Sequence, residues 1–471
     1  MINKLFGTDG VRGTANIYPM TAGFAFDLAE ILSQLVCKDT KTVAIGKDTR
    51  ISGDMLEAAL SAGFTSNGIS VISLGVVPTP LVTLSTKKLN VDMALMITAS
   101  HNPYHDNGIK LIDRNGDKFS DELYAQIEGL LEQKNSDNHN NKSNNKNNNH
   151  RIDDNNNKLN KSPSSLGYIL KDENVIEDYI QNMRHIAPSY KSFQGLKVVL
   201  DCANGSYFSI LPQTFKDLGA TVIVINNKPN GYNINENCGS QHTKQLSEMV
   251  LSSQAHFGVA VDGDGDRIIL VDNNGTVIDG DQLLCFLAQY LKKHNKLTSN
   301  TVISTEWSNL GLGKYFETQN IHHIKSKVGE RYVIDLMKEN KSSLGGELVG
   351  HIVLSDYAVS GDALATAIVL SLAYLEDGRQ MSDIFPIFSP YPCIIENIRF
   401  STKEYMSQSI EYPDVQKALA DAKKLLGADS NLIARKSGTE PVIKLRVEGT
   451  DEKLVQKLAA ELKALIQQYQ K

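Results

Sequence analysis

At 471 residues the chain exceeds what one compact core holds, and at roughly 150 residues per domain it calls for three or four. Its 41% apolar content is ordinary for a folded protein, and a formal net charge of −6 gives no general electrostatic reason to expect nucleic acid or an anionic membrane as a partner. The five cysteines (Cys37, Cys202, Cys238, Cys285 and Cys393) are scattered and without a CxxC pair, no apolar run is long enough to span a membrane, and residues 1–7 lack a signal peptide's apolar region, so the expectation is a soluble, cytoplasmic protein with reduced thiols.

The first loop is Phe6-Gly7-Thr8-Asp9-Gly10-Val11-Arg12-Gly13. Its three glycines let backbone N–H groups approach an anion while Arg12 supplies a guanidinium fork. A helix follows on the stripe Phe24, Leu28, Ile31, Leu32 and Leu35, then a strand at 42–45, a helix at 54–64 stopped by Gly68, and a strand at 69–74. A further helical stretch leads to the apolar strand 93–97. Where it runs out stands Thr98-Ala99-Ser100-His101-Asn102-Pro103, with Asn107-Gly108-Ile109-Lys110 beyond. Loops at the carboxyl ends of parallel strands face the crevice of an open α/β sheet, which places Ser100 for chemistry.

Residues 135–160 are rich in Asn, Lys, Asp, Ser and His and nearly free of apolar side chains, and are expected to form a disordered insertion. A second β-α-β-α-β unit has strands at 197–200, 221–225 and 257–261, with the stripe Phe208, Leu211, Phe215 and Leu218 facing its core. A third has strands at 301–304, 322–324 and 343–346 and a long helix from Asp362. The third strands of the three units end at Ser100, at Asp262-Gly263-Asp264-Gly265-Asp266-Arg267 and at Gly346-Glu347-Leu348-Val349-Gly350-His351. Equivalent ends face equivalent ways, so the loops share one cleft. The tail reads as a smaller α+β domain: a strand at 394–400, a helix at 414–426, a last helix, and a strand pair whose turn is Arg435-Lys436-Ser437-Gly438-Thr439-Glu440-Pro441. The fold class is therefore α/β, three similar units plus a smaller α+β domain around a central cleft, with domains at 1–166, 167–276, 277–388 and 389–471.

Asp262, Asp264 and Asp266 alternate with glycine, so in an extended segment all three carboxylates point to one side and offer hard oxygen donors suited to Mg²⁺. An EF-hand also begins D-x-D-x-D, but its sixth and twelfth positions are here Arg267 and Asn273. No G-x-S-x-G elbow surrounds Ser100, and no nucleotide fingerprint occurs. A serine beside a cation loop and the basic groups Arg12, His101, Lys110, Arg267 and Arg435 points to a phosphoserine and phosphoryl transfer. Arg435, Ser437, Gly438 and Thr439, with Arg446 on the returning strand, read as a clamp for a second phosphate. Glu347 and His351 either grip sugar hydroxyls or handle a proton, or are ordinary surface or helix-capping residues.

Taken together, these loops resemble the α-D-phosphohexomutase superfamily, and within it the bacterial phosphoglucosamine mutases, over essentially the whole chain outside the Asn-rich stretch. The resemblance implies that Ser100 is the phosphorylated residue and that Mg²⁺ is held by Asp262, Asp264, Asp266 and the serine phosphate. It implies acid and base work for Lys110 and His351, and a place near the sugar for Lys327, Val328, Gly329 and Arg331. The implied reaction interconverts glucosamine 6-phosphate and glucosamine 1-phosphate through a glucosamine 1,6-bisphosphate intermediate, feeding UDP-N-acetylglucosamine and cell-wall synthesis. Relatives acting on mannose or glucose phosphates, and a non-catalytic sugar-phosphate binder, are the alternatives. A homo-oligomer is left open, and neither nucleic acid nor membrane is expected. Val349 departs from the serine common in the family's sugar loop, a lost hydroxyl worth about 0.5–1.5 kcal/mol of hydrogen bonding. Trp307 stands where relatives often carry Met.

Overall fold

The computed structural model describes residues 5–7, 9–144, 165–189, 192–436 and 441–470. Three sheets repeat one plan. In the first, β1 (Val11–Thr14), β2 (Thr42–Lys47), β3 (Ser70–Val76), β4 (Met93–Ile97), β5 (Asp106–Asp113) and β6 (Ile169–Lys171) lie in the order β1-β5-β4-β2-β3-β6. In the second, β7 (Lys197–Asp201), β8 (Thr221–Ile225), β9 (Phe257–Val261), β10 (Ile268–Asp272) and β11 (Val277–Ile278) lie in the order β11-β10-β9-β7-β8. In the third, β12 (Thr301–Thr305), β13 (His322–Ser326), β14 (Leu344–Gly346) and β15 (Ile352–Leu354) lie in the order β13-β12-β14-β15. The tail's sheet is β16 (Cys393–Arg399), β17 (Asn431–Lys436) and β18 (Val442–Glu448), antiparallel throughout.

Each repeat holds three parallel strands, with the central one, β2, β7 or β12, a buried apolar run. Each then adds a fourth strand antiparallel to the third: β5 against β4, β10 against β9, β15 against β14. The sequence reading had no such strand. The chemistry-bearing loops are thus hairpin connections between a third and a fourth strand, rather than strand-to-helix turns. The N-terminal loop joins the first sheet through β1, which runs antiparallel to β5 and sets Arg12 opposite Gly108. β6 pairs with β3, so the first sheet reaches past the boundary expected at 166.

Helices Ala22–Leu35 and Gly53–Ser66 cover one face of the first sheet with Phe24, Leu28, Leu32, Leu56, Leu60 and Phe64. The other face merges with the second and third units in one apolar cluster that includes Leu81, Val82, Val198, Leu200, Leu283, Leu364 and Ile368. The tail keeps a separate core around Val415, Ile443, Leu445, Leu458 and Leu462. Helix Asp121–Asn144 runs ten residues into the stretch read as a disordered insertion. Its packed turns at Tyr124, Ile127 and Leu131 pay the nucleation cost, and extending an existing helix is far easier than starting one. The remainder of that expectation, from residue 145, lies outside the described residues.

Candidate active site

Ser100, in the β4–β5 hairpin, is 1% exposed and adopts a left-handed backbone with φ of 52°, costly for any residue with a Cβ. Thr98 holds it there: its Oγ1 accepts from the Ser100 N–H at 2.8 Å and donates to Asp48 Oδ2 at 2.7 Å. The turn delivers the Ser100 hydroxyl across the boundary between the first two units, where it donates to Asp262 Oδ2 at 2.7 Å. His101 Nδ1 lies 3.2 Å from Ser100 Oγ and 3.0 Å from Arg267 Nη1. Burial, then the positive charges of Arg267 and Arg12, push this imidazole down to about 3. His101 is therefore neutral, and a neutral Nδ1 can accept from the guanidinium.

Asp262, Asp264 and Asp266 are buried in the β9–β10 hairpin, with one oxygen from each all within 4.8 Å of one another. Gly265 makes the turn possible, since its φ is 75° and a Cβ there would stand 2.3 Å from the Tyr207 ring. Lys110, from β5, donates to Asp264 Oδ2 and Asp266 Oδ2 at 2.7 Å each, and Thr79 Oγ1 donates to Asp264 Oδ2 at 2.7 Å. Burial pulls the Lys110 ammonium down, but Asp264, Asp266 and Asp9 outweigh it and hold the amine well above its ordinary value. Burial, with Asp266 and Asp264 close by, raises the Asp262 carboxyl well above the carboxylate range. Asp264 Oδ1 and Asp266 Oδ1 are buried without a hydrogen-bond donor. Three convergent carboxylates with two orphan oxygens fit a hard divalent cation, and these residues can hold a metal.

The third hairpin locks onto the second. The Ile268 N–H donates to the Gly350 carbonyl at 2.9 Å, and Arg267 pairs with His351 as an antiparallel bridge. His351 is buried between Glu330 Oε1, 2.7 Å from its Nε2, and Asp266 Oδ1, 3.6 Å from its Nδ1. Burial opposes charge there, but Glu330 and Asp266 outweigh it and raise the imidazole to about 10. His351 is thus an imidazolium at neutral pH. Glu330 also ion-pairs with Lys118, whose Nζ is 2.6 Å from Asp9 Oδ1, while Arg12 Nη2 reaches Asp9 Oδ2 at 2.5 Å. A continuous charge chain, partly exposed at Asp9, Arg12 and Lys118 and buried at Glu330, therefore joins the N-terminal loop to His351.

Other expected residues are placed differently. Glu347 is buried and accepts from the Gly329 N–H at 3.1 Å, and the Lys327 ammonium lies 5.9 Å from the Tyr332 ring centre. Arg331 pairs with Asp121 at 3.2 Å and Asp335 at 3.9 Å, so its guanidinium ties the third unit to a helix of the first. Val349 is half exposed. Arg435 is exposed at the end of β17, and Ser437, Gly438 and Thr439 lie outside the described residues. Arg446 is a correction: at 1% exposure it pairs with Glu448 Oε2 at 2.9 Å and donates to the Trp307 carbonyl. The β18 register sets Arg446 opposite Ile433 and Ile395, toward the third unit and away from the β17–β18 turn. Lys118, Asn235 and Glu330 carry no motif in the sequence, because each gains its meaning from a partner far along the chain, and the pair Asp48 and Arg50 gains its meaning from the Ser100 hairpin.

Comparisons with known proteins agree with this architecture. Residues 3–138, 177–275, 279–391 and 398–465 match, in order, the phosphoglucomutase/phosphomannomutase alpha/beta/alpha domains I, II and III and the C-terminal domain. A phosphoglucosamine mutase of Rhizobium johnstonii is 39% identical over 464 residues, covering 98% of each chain. One from Brucella ovis is 40% identical over 98% of this chain and 97% of its own. The crystal structure of a phosphoglucomutase/phosphomannomutase family protein of Burkholderia thailandensis shares the fold, with a TM-score of 0.76 at 20% identity over 99% and 98% of the two chains. An Aspergillus fumigatus N-acetylphosphoglucosamine mutase, solved with GlcNAc-6P and magnesium, has a TM-score of 0.66 at 14% identity over 99% and 96%. Four domain matches in order, with full-length identity near 40%, place this enzyme among the isomerases: the chain belongs to the phosphoglucomutase/phosphomannomutase family, on its phosphoglucosamine mutase branch.

Proposed function

We propose that the chain interconverts glucosamine 6-phosphate and glucosamine 1-phosphate through a phosphorylated Ser100, and so supplies the amino-sugar phosphate used for UDP-N-acetylglucosamine and cell-wall precursors. The observation that carries this reading is Ser100 Oγ at 2.7 Å from the buried carboxylate cluster, with Lys110 across the cluster from it. Such a hydroxyl, once phosphorylated, faces cationic groups on two sides. In the forward step the bond from phosphorus to Ser100 Oγ breaks, a bond to the free sugar hydroxyl forms, that hydroxyl loses its proton and the serine oxygen gains one. Lys110 and His351 are both held protonated, so either can supply the proton that the serine oxygen gains, and the group that has given it up is then the base that takes the proton the hydroxyl loses. Arg267 and Arg12 set positive charge beside the serine loop, where charge spreads over the transferring oxygens.

Asp262, Asp264 and Asp266, with the serine phosphate, would hold Mg²⁺, which when bound neutralises charge on the phosphoryl oxygens. The bisphosphate then turns over in the cleft and returns its other phosphate to Ser100. The turn after Arg435 is the proposed clamp for whichever phosphate is idle. A coupled assay with Mg²⁺ and a trace of sugar bisphosphate tests the reading, comparing glucosamine 6-phosphate with glucose and mannose phosphates. Strong preference for the amino sugar is expected. Preference for a neutral sugar would show that Val349 and its loop redirect the enzyme.

A further inference from the structure

Arg50 follows β2 at the same sheet end as Ser100, is 2% exposed, and has no place in the phosphoryl-transfer scheme above. Its guanidinium carries five N–H groups, and each finds an acceptor. Nε donates to Asp48 Oδ2 at 2.9 Å. Nη1 donates to the carbonyls of Pro103 and, at 3.0 Å, Asp106. Nη2 donates to the carbonyls of Ser100 at 3.0 Å and Asn102 at 2.8 Å. Four carbonyls of one loop thus converge on one planar fork, leaving it no donor for a substrate.

The same carboxylate that orients Arg50 also receives the Thr98 hydroxyl, and Thr98 in turn holds the Ser100 N–H. From the second unit, Asn235 Nδ2 donates to the Ser100 and Asn102 carbonyls at 2.8 and 3.0 Å. The backbone at Gly263 presses so close that a Cβ there would lie 2.7 Å from the Ser100 carbonyl. An L-residue does not keep a left-handed backbone unless its surroundings over-determine it. Here the surroundings are Arg50, Asp48 and Asn235.

We infer that Arg50 is a positioning residue for the reaction: saturated by Asp48 and four loop carbonyls, it fixes Ser100 in the left-handed turn that delivers its hydroxyl to Asp262. This deepens the proposed phosphoserine chemistry and rests on it. A buried ion pair serving stability alone would predict otherwise, because its loss weakens the fold without shaping one loop.

The test compares full-length wild type, Arg50→Lys and Arg50→Ala. Lysine keeps the charge beside Asp48 but gathers its donors on one nitrogen, so it disturbs the fold less than alanine does and still cannot span four carbonyls. Expected for Arg50→Lys is a kcat for glucosamine 6-phosphate lower by about 100-fold, the scale of a 1 Å misplacement, with KM nearly unchanged. Amide hydrogen exchange over residues 98–107 should quicken while that of β9 stays as in wild type. Guanidinium ion, but not sodium at equal ionic strength, should restore part of the Arg50→Ala rate. Wild-type turnover by Arg50→Lys would overturn the inference. So would a raised KM at normal kcat, which would mean that Arg50 grips substrate, or lost activity with unchanged exchange over 98–107. A wild-type chain without mutase turnover would sink the functional reading, and the exchange comparison would still decide the role of Arg50.

Discussion

Ser100→Ala removes the one hydroxyl that the first hairpin sets against the carboxylate cluster, and mutase turnover should fall to background. Normal turnover by that variant would rule out a phosphoserine route. Asp264→Ala deletes one of the two orphan buried oxygens, so calorimetric Mg²⁺ binding should be lost along with activity, even in protein whose circular dichroism is unchanged. Asp281 gives a prediction away from the cleft. Burial, then Asp279, raises its carboxyl to about 7, although it accepts from the Asn309 N–H at 2.7 Å. With the folded value above the unfolded one, the folded protein keeps a proton that the unfolded chain gives up. Stability should therefore fall as pH rises from about 4 to 7, at up to about 1.4 kcal/mol per pH unit from this group. Asp281→Asn should lose that slope in urea titrations across the range. At this scale the sequence was legible where chemistry is packed locally. Ser100 and the Asp triad stand in short runs whose residue types already imply their use. Asn235 and Glu330 did not stand out, because an isolated Asn or Glu means nothing until folding brings its partner from another unit, and Arg50 because its carbonyl partners lie some fifty residues on in the same unit.

The hairpin between third and fourth strands is the repeated device. It was half legible: the apolar runs of β4 and β9 announced themselves, and so did the loops that follow the third strands. β5 was hidden by its charged and polar residues, Asp106, Asn107, Lys110 and Asp113, and β15 by its brevity. Pairing is a non-local property, and a strand that leans on its neighbour need not carry a strong signal of its own. The second and third hairpins meet at Gly350, where φ is 86° and a Cβ would fall 1.9 Å from the Ile268 carbonyl. Gly350→Ala should cost at least about 2 kcal/mol by strain and lost pairing. Activity should fall further than stability requires, because His351 is the next residue. Matched thermal midpoints and mutase rates for the variant would check this; a drop in stability with normal specific activity would separate Gly350 from the site.

Four units were countable from the sequence, but not how they hold one another. The first three share one apolar cluster, whereas the fourth meets the third through polar groups. Arg446 and Glu448 form a buried pair on β18; Glu448 Oε1 accepts from the Leu310 N–H at 2.8 Å and Asn431 Nδ2 reaches the Glu306 carbonyl at 2.9 Å. Removing one charge strands the other, so Glu448→Ala should destabilise the fourth unit by about 3–5 kcal/mol. Replacing both by apolar residues should recover much of that loss, as a double-mutant comparison would show. An arginine in a returning strand looks the same whether it reaches a phosphate or a junction, which is why its role could not be read beforehand. The shared cluster has a consequence for how the molecule melts. Cutting any of the first three units free would bare an apolar face, so they should lose structure together as one cooperative block. The fourth, with a core of its own, can come apart in a separate step, leaving two heat-absorption peaks where a single fused body would give one.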